Sequence, residues 1–167
     1  LAYGNLANLR PCFGRGDDGY LASSKRVLEL VSTLAGQAKT VAMQGSGTSA
    51  IEVMIANFLH GNVLVVKSGY YSDRLEAITR ARAARDGFVR RVDCVDWLEV
   101  AEASGRYDWV LSVYTETSEA TLVPIREVAA LAKRCGAQFA LDATASIGLE
   151  MDHDLADVCA FSSCKGL

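Results

Sequence analysis

The sequence predicts an α/β domain: a mostly parallel β-sheet with helices on both faces. Three observations predict it. Apolar strand-like runs alternate with longer segments at helical spacing. Two of the runs, NVLVV (62–66) and DWVLSVY (108–114), are almost continuously apolar, as strands buried on both faces are. The segments that follow the runs are polar, small or aromatic, and in parallel sheets ligands gather at the carboxyl ends of strands.

In chain order, residues 20–35 place Leu21, Val27, Leu28, Val31 and Leu34 at helical spacing. TVAMQ (40–44) reads as a short strand running into the glycine-rich turn Gly45-Ser46-Gly47-Thr48, and TSAIEVMIANFLH as a buried helix. After NVLVV, residues 71–85 form an amphipathic helix carrying Arg74, Arg80, Arg82 and Arg85. FVRRVDC is a weak strand and 95–104 a short helix. Pro124 opens the helix PIREVAALAKRCG at a position proline tolerates, and Gly136 closes it. QFALDA and DVCAFS are the last two strands.

The chain has 167 residues, 50% apolar and 22% charged, enough for one domain with a real core. A net charge of −3 gives no sign of a nucleic-acid or anionic-membrane partner. Five scattered cysteines without a CxxC pair, and only two histidines, argue against a disulfide framework or a zinc site. They point to a reducing, cytoplasmic setting. No apolar run reaches the ~18 residues of a membrane span. The first residue is leucine and the last strand-like segment ends near Leu167, so a piece of a longer protein is expected.

Five polar segments can carry chemistry. In GSGTS, glycines allow close backbone approach, and free N–H groups at a helix N-terminus bind phosphate; glycine at such a turn is also often structural. The turn is neither GxxxxGK[ST] nor GxGxxG. Tyr70 and Tyr71 either pack or lie flat on a planar ligand. Glu116, Thr117 and Ser118 either bond a ring substituent or form an ordinary polar loop. Asp142, ending QFALDA, is open to three readings: a helix cap, a metal ligand or the partner of a buried cation. No histidine or second carboxylate stands near it for a metal. Lys165, in FSSCKGL, is either a solvated lysine or an amine whose pKa falls in a closed pocket, freeing it to attack a carbonyl. His60 and His153 read as incidental.

Taken together, QGSGTSAIE, GYYSDR, TETSEATLVPIREVAALAKRCGAQFALDATASIG and SSCKGL resemble the class V aminotransferases. These use pyridoxal 5′-phosphate (PLP) on the fold-type I scaffold, and the similarity is to their 2-aminoethylphosphonate–pyruvate and alanine–glyoxylate branch. It covers roughly residues 5–167, with the discriminating motifs from 44 onward. The resemblance implies that Lys165 is the Schiff-base lysine and Asp142 the partner of the pyridinium nitrogen. It implies that Ser46, Gly47 and Thr48 form the phosphate turn, Tyr71 stacks on the ring, Thr117 bonds near the ring hydroxyl, and Ser146 lies near the phosphate. Two departures stand out. Cys164 replaces the glutamine or asparagine common before this lysine, and Ser118-Glu119-Ala120 replaces a Ser/Thr-Thr-Gly run. The implied activity passes an amino group from a donor such as 2-aminoethylphosphonate or alanine to pyruvate or glyoxylate, in a homodimer with no metal. Residues 1–167 would be the PLP-binding large domain, with the family's small C-terminal domain beyond Leu167. Two alternatives stay open: a lyase of the same superfamily, such as a cysteine desulfurase or a kynureninase-like enzyme, and a non-catalytic remnant. Against the desulfurase, the histidine expected just before the lysine is replaced by Cys164.

Overall fold

The computed structural model describes residue 14 and residues 16–167. Cys12 and the first part of the resembling stretch lie outside them. Five strands form one parallel sheet in the order β2-β1-β3-β6-β7: β1 Gly61–Lys67, β2 Val89–Asp96, β3 Trp109–Val113, β6 Gln138–Asp142 and β7 Val158–Ala160. The short strands β4 (Thr115–Glu116) and β5 (Thr121–Leu122) pair antiparallel as a separate ribbon. The helices are α1 (Asp18–Leu34), α2 (Gly47–Phe58), α3 (Tyr70–Asp86) and α4 (Ile125–Cys135).

The pleat divides β1 between two cores. Val63 and Val65 face α2 and α3, meeting Ile51, Met54, Ile55 and Leu75. Leu64 and Val66 face α4, meeting Val128, Leu131 and Cys135. Alternate side chains of one strand thus bury on opposite faces, which is why the run must be apolar at every step. Burying each such side chain contributes about 1.5–3 kcal/mol. The expected sheet with helices on both faces is what the chain forms.

Helix boundaries follow local chemistry. The Ser46 hydroxyl accepts the Ser49 N–H at 3.2 Å and caps α2. Pro124 stands one position before α4, and Gly136 ends that helix at φ 69°, a left-handed conformation glycine adopts freely. Two expectations need correction. TVAMQ forms no strand: Val41 is 77% exposed, and no ladder partner flanks the run among the described residues. An apolar run makes a strand only where a neighbouring backbone pairs with it. Residues 95–104 form not a short helix but one 3-10 turn, Trp97–Glu99, capped by Asp96, before the chain relaxes into turns. Of its side chains only Val100 is fully buried, so packing gives a longer helix little support. The β4–β5 ribbon lies where the sequence suggested only a polar loop.

Candidate active site

The carboxyl ends of β3 and β6 lie side by side, Val113 opposite Asp142. The N-termini of α2 and α3 close over them. The cavity between is lined by Thr48 and Ile51 of α2, Tyr71, Arg74 and Leu75 of α3, Val113, Thr115 and Thr117, Asp142, Thr144 and Ala145, and Lys165. Crevices of this kind, beyond the strand ends of a parallel sheet, are where such folds bind ligands.

Asp142 is 5% exposed, and its Oδ1 accepts the Thr144 N–H at 2.9 Å. Burial pushes its pKa above the ordinary carboxylate value and the negative charge of Glu116 adds to the rise; Thr144 and the Lys165 charge pull the other way. No ion pair reaches Asp142 among the described residues. The Lys165 ammonium stands 5.8 Å from the centre of the Tyr71 ring, but the residue is exposed and not enclosed as the closed-pocket reading required. Two hydroxyls on the cavity wall, those of Thr115 and Thr144, are buried without a hydrogen-bond partner. Gly47 is fitted closely: a Cβ there would come within 2.9 Å of the Thr144 methyl group, so only glycine lets α2 start so near the β6 loop.

Of the residues singled out in the sequence, Thr48, Tyr71, Thr117, Asp142 and Lys165 meet in this one cavity. Ser46 and Gly47, which precede Thr48, are not among the residues lining it, and the Ser46 hydroxyl is engaged in capping α2. Ser146 is not brought to it. Its side chain is fully buried and its hydroxyl lies 2.9 Å from Nε2 of His153. His153, expected to be incidental, is a core residue whose pKa burial pushes down. Arg74, Thr115 and Thr144 were missed as cavity residues. Arg74 carried a sequence signal in its place one helical turn after Tyr71. No group of metal-ligating side chains occurs among the described residues, and none of the described helices is long and apolar enough to cross a membrane.

No family model matches the chain. The 2-aminoethylphosphonate–pyruvate transaminase of Syntrophobacter fumaroxidans is 31% identical over 131 residues, covering 74% of this chain and 35% of the relative. The enzyme of the same name from Klebsiella pneumoniae is 28% identical over 137 residues, covering 78% and 37%. Among solved structures, pyridoxamine–pyruvate aminotransferase from Mesorhizobium loti superposes with a TM-score of 0.78 at 18% identity, over 92% of this chain and 42% of that one. Over the aligned region the chain is similar to these aminotransferases, and it shares their fold. It spans little more than a third of the length of the curated relatives it matches.

The aminotransferases it is similar to are PLP-dependent, and the cavity fits that group on its own chemistry. A buried carboxylate without a cation suits a protonated ring nitrogen. Two unpartnered hydroxyls offer hydrogen bonds, an aromatic face stands at the wall, and a lysine is within reach of that face.

Proposed function

We propose that this chain is the PLP-binding large domain of a class V transaminase. It would move an amino group from 2-aminoethylphosphonate, or a small amino acid such as alanine, to pyruvate or glyoxylate. The observation that carries the reading is the buried, uncompensated Asp142 in the same cavity as Lys165 and Tyr71. The names of the relatives support the donor and acceptor.

PLP supplies a ring that accepts the electrons released when a bond at the amino carbon breaks. Asp142 would hold the proton on the ring nitrogen, keeping that sink open. Lys165 would anchor the group covalently, yield its place to the donor amine, and then act as the base that moves the proton at the donor's α-carbon. Tyr71 would cover one face and exclude water, and Thr117 would bond the ring hydroxyl. The N-terminus of the twelve-residue α2, with Ser46, Gly47 and Thr48, would receive the phosphate. Arg74 supports an anionic substrate. Of the four arginines on α3, Arg80, Arg82 and Arg85 pair with acids, whereas Arg74 has no such partner among the described residues and lines the cavity. Assembly as a homodimer belongs to the same reading. Support for it comes from α1, which buries no residue and leaves Val27 and Leu30 more than half exposed.

Titration of the full chain with PLP tests the proposal. A visible absorption band is expected, together with amino transfer to pyruvate. Lys165→Ala should abolish both. A wild-type chain without a band, or a Lys165→Ala variant that keeps it, would refute the assignment.

A further inference from the structure

Glu116 is fully buried at the end of β4, yet pairs with no cation among the described residues. Its neighbours are donors instead. Oε1 accepts the N–H of Tyr71 at 3.3 Å, the N–H of Ser118 at 3.4 Å and the Ser118 hydroxyl at 2.6 Å. Oε2 accepts the N–H of Ser72 at 3.1 Å and the Ser68 hydroxyl at 3.4 Å. The Ser118 oxygen in turn accepts the N–H of Tyr70 at 3.1 Å. The free amides of the first turn of α3 are therefore satisfied by a carboxylate and a hydroxyl from the β4 turn, where the helix dipole also favours negative charge. An independent feature shows how close this approach is. Gly69, at φ 150°, would bring a Cβ within 2.8 Å of both Glu116 Cγ and Ser118 Oγ.

We propose that Glu116 is a positioning residue: through the Tyr71 and Ser72 amides it locks the first turn of α3 so that the Tyr71 ring stands fixed at the wall of the cavity, beside Thr117. The inference rests on the PLP reading above. Each oxygen faces a backbone N–H that can only donate, those of Tyr71 and Ser118 at Oε1 and that of Ser72 at Oε2, so a carboxylate suits the site and an amide does not. A glutamine in its place sets an NH2 group against N–H and O–H donors. The resulting loss reaches the cavity through Tyr71, which leads from the lock to the aromatic wall.

The test compares the full wild-type chain with Glu116→Gln and Ser118→Ala in three measurements: PLP affinity by titration, visible circular dichroism per unit of bound-PLP absorbance, and melting temperature without PLP. PLP is achiral, so its ellipticity reports how firmly the protein fixes it. Glu116→Gln should raise the Kd about tenfold and halve the ellipticity per bound PLP; Ser118→Ala should raise the Kd about threefold. If Glu116→Gln fails to fold, Ser118→Ala decides alone: a raised Kd supports the proposal and a wild-type Kd overturns it. Variants that melt earlier but bind PLP with wild-type affinity and ellipticity also overturn it, because Glu116 would then serve only the fold. Wild-type protein that takes up no PLP overturns the functional reading, and this inference with it; a wild type that binds PLP confines any failure to Glu116.

Discussion

Two carboxylates show how differently the outer flank of α3 and its inner end are built. Glu76, on the flank, sits between two cations: Lys67 Nζ at 2.5 Å and Arg80 Nε at 2.7 Å. Those hydrogen bonds, Lys67's first, hold its pKa down to about 2. Lys67 also pairs with Asp73 and is itself raised despite its burial. Asp142, at the end of β6, faces the cavity against that helix's inner end with no paired cation, and burial pushes its pKa up. The flank spends its charges on the fold. The cavity holds a charge that the protein leaves uncompensated, as sites reserved for a ligand do. The two places should therefore respond to neutralisation with opposite signs.

The largest effect is expected at Asp142. Its folded-state pKa lies above the unfolded value, so ionisation disfavours the folded state. The stability this group contributes is present at low pH and is lost as pH rises through the unfolded and then the folded value. Without PLP, Asp142→Asn should therefore stabilise the chain by about 1–2 kcal/mol at pH 7 and by much less at pH 4. With PLP the order should invert, because the variant loses the partner of the ring nitrogen and at least about tenfold in affinity. Thermal melts at both pH values, with and without PLP, check this. An unliganded variant less stable than wild type at pH 7 would mean that the protein alone compensates Asp142, and the contrast between the two carboxylates would break.

Glu76 should show the reverse sign and a smaller size. Its folded-state pKa is depressed, so its stabilisation is present above the unfolded value of 4.5 and is lost as pH falls towards about 2. Glu76→Gln should cost about 1 kcal/mol at pH 7, where partly exposed networks of this kind fall. The difference should shrink as pH falls from 4.5 and close only near pH 2, being clearly smaller at pH 3 than at pH 7, and PLP affinity should not change. Urea unfolding at pH 7 and pH 3 measures it; a loss that persists undiminished at pH 3 would assign the effect to packing instead of charge.

The flank and the cavity were not equally legible in the sequence. Strands such as NVLVV announce themselves, because a strand buried on both faces must be apolar at each residue. The α4 stripe of Ile125, Val128, Leu131 and Cys135 does the same at helical spacing. Lys165, Asp142 and Tyr71 stand out as unusual residues just past such runs. Glu116 stood out only as a polar loop residue or a ligand for a ring substituent; its burial beneath donors from α3 and the loop before it, 44 to 48 residues away in sequence, is visible only in the fold. Thr115 and Thr144 were hidden for the same reason: a hydroxyl is orphaned only once the packing around it is known. TVAMQ misled in the opposite direction, as hydrophobicity says nothing about whether a neighbouring strand is there to pair. The family resemblance implied that Ser146 lies near the phosphate, yet the turn there aims its hydroxyl at His153.

Two cysteines report on the two regions separately, and they give the smallest predicted effect. Cys94 lies on β2 next to Glu76; burial raises its thiol pKa and the Glu76 charge raises it further, against the pull of Lys67 and Arg80. Cys164 is exposed and adjoins Lys165. Cys159, pushed up to about 12 by burial, serves as the unreactive reference. Since the thiolate is the species that reacts, Glu76→Gln should speed alkylation of Cys94 by iodoacetamide at pH 8 about two- to threefold and leave Cys164 unchanged. PLP should slow Cys164 and leave Cys94 unchanged. Peptide mapping after timed alkylation reads both rates in one sample. If PLP slowed both cysteines alike, the flank and the cavity would be coupled through α3, and the separation between a charge kept for the fold and a charge kept for a ligand would have to be redrawn along the whole helix.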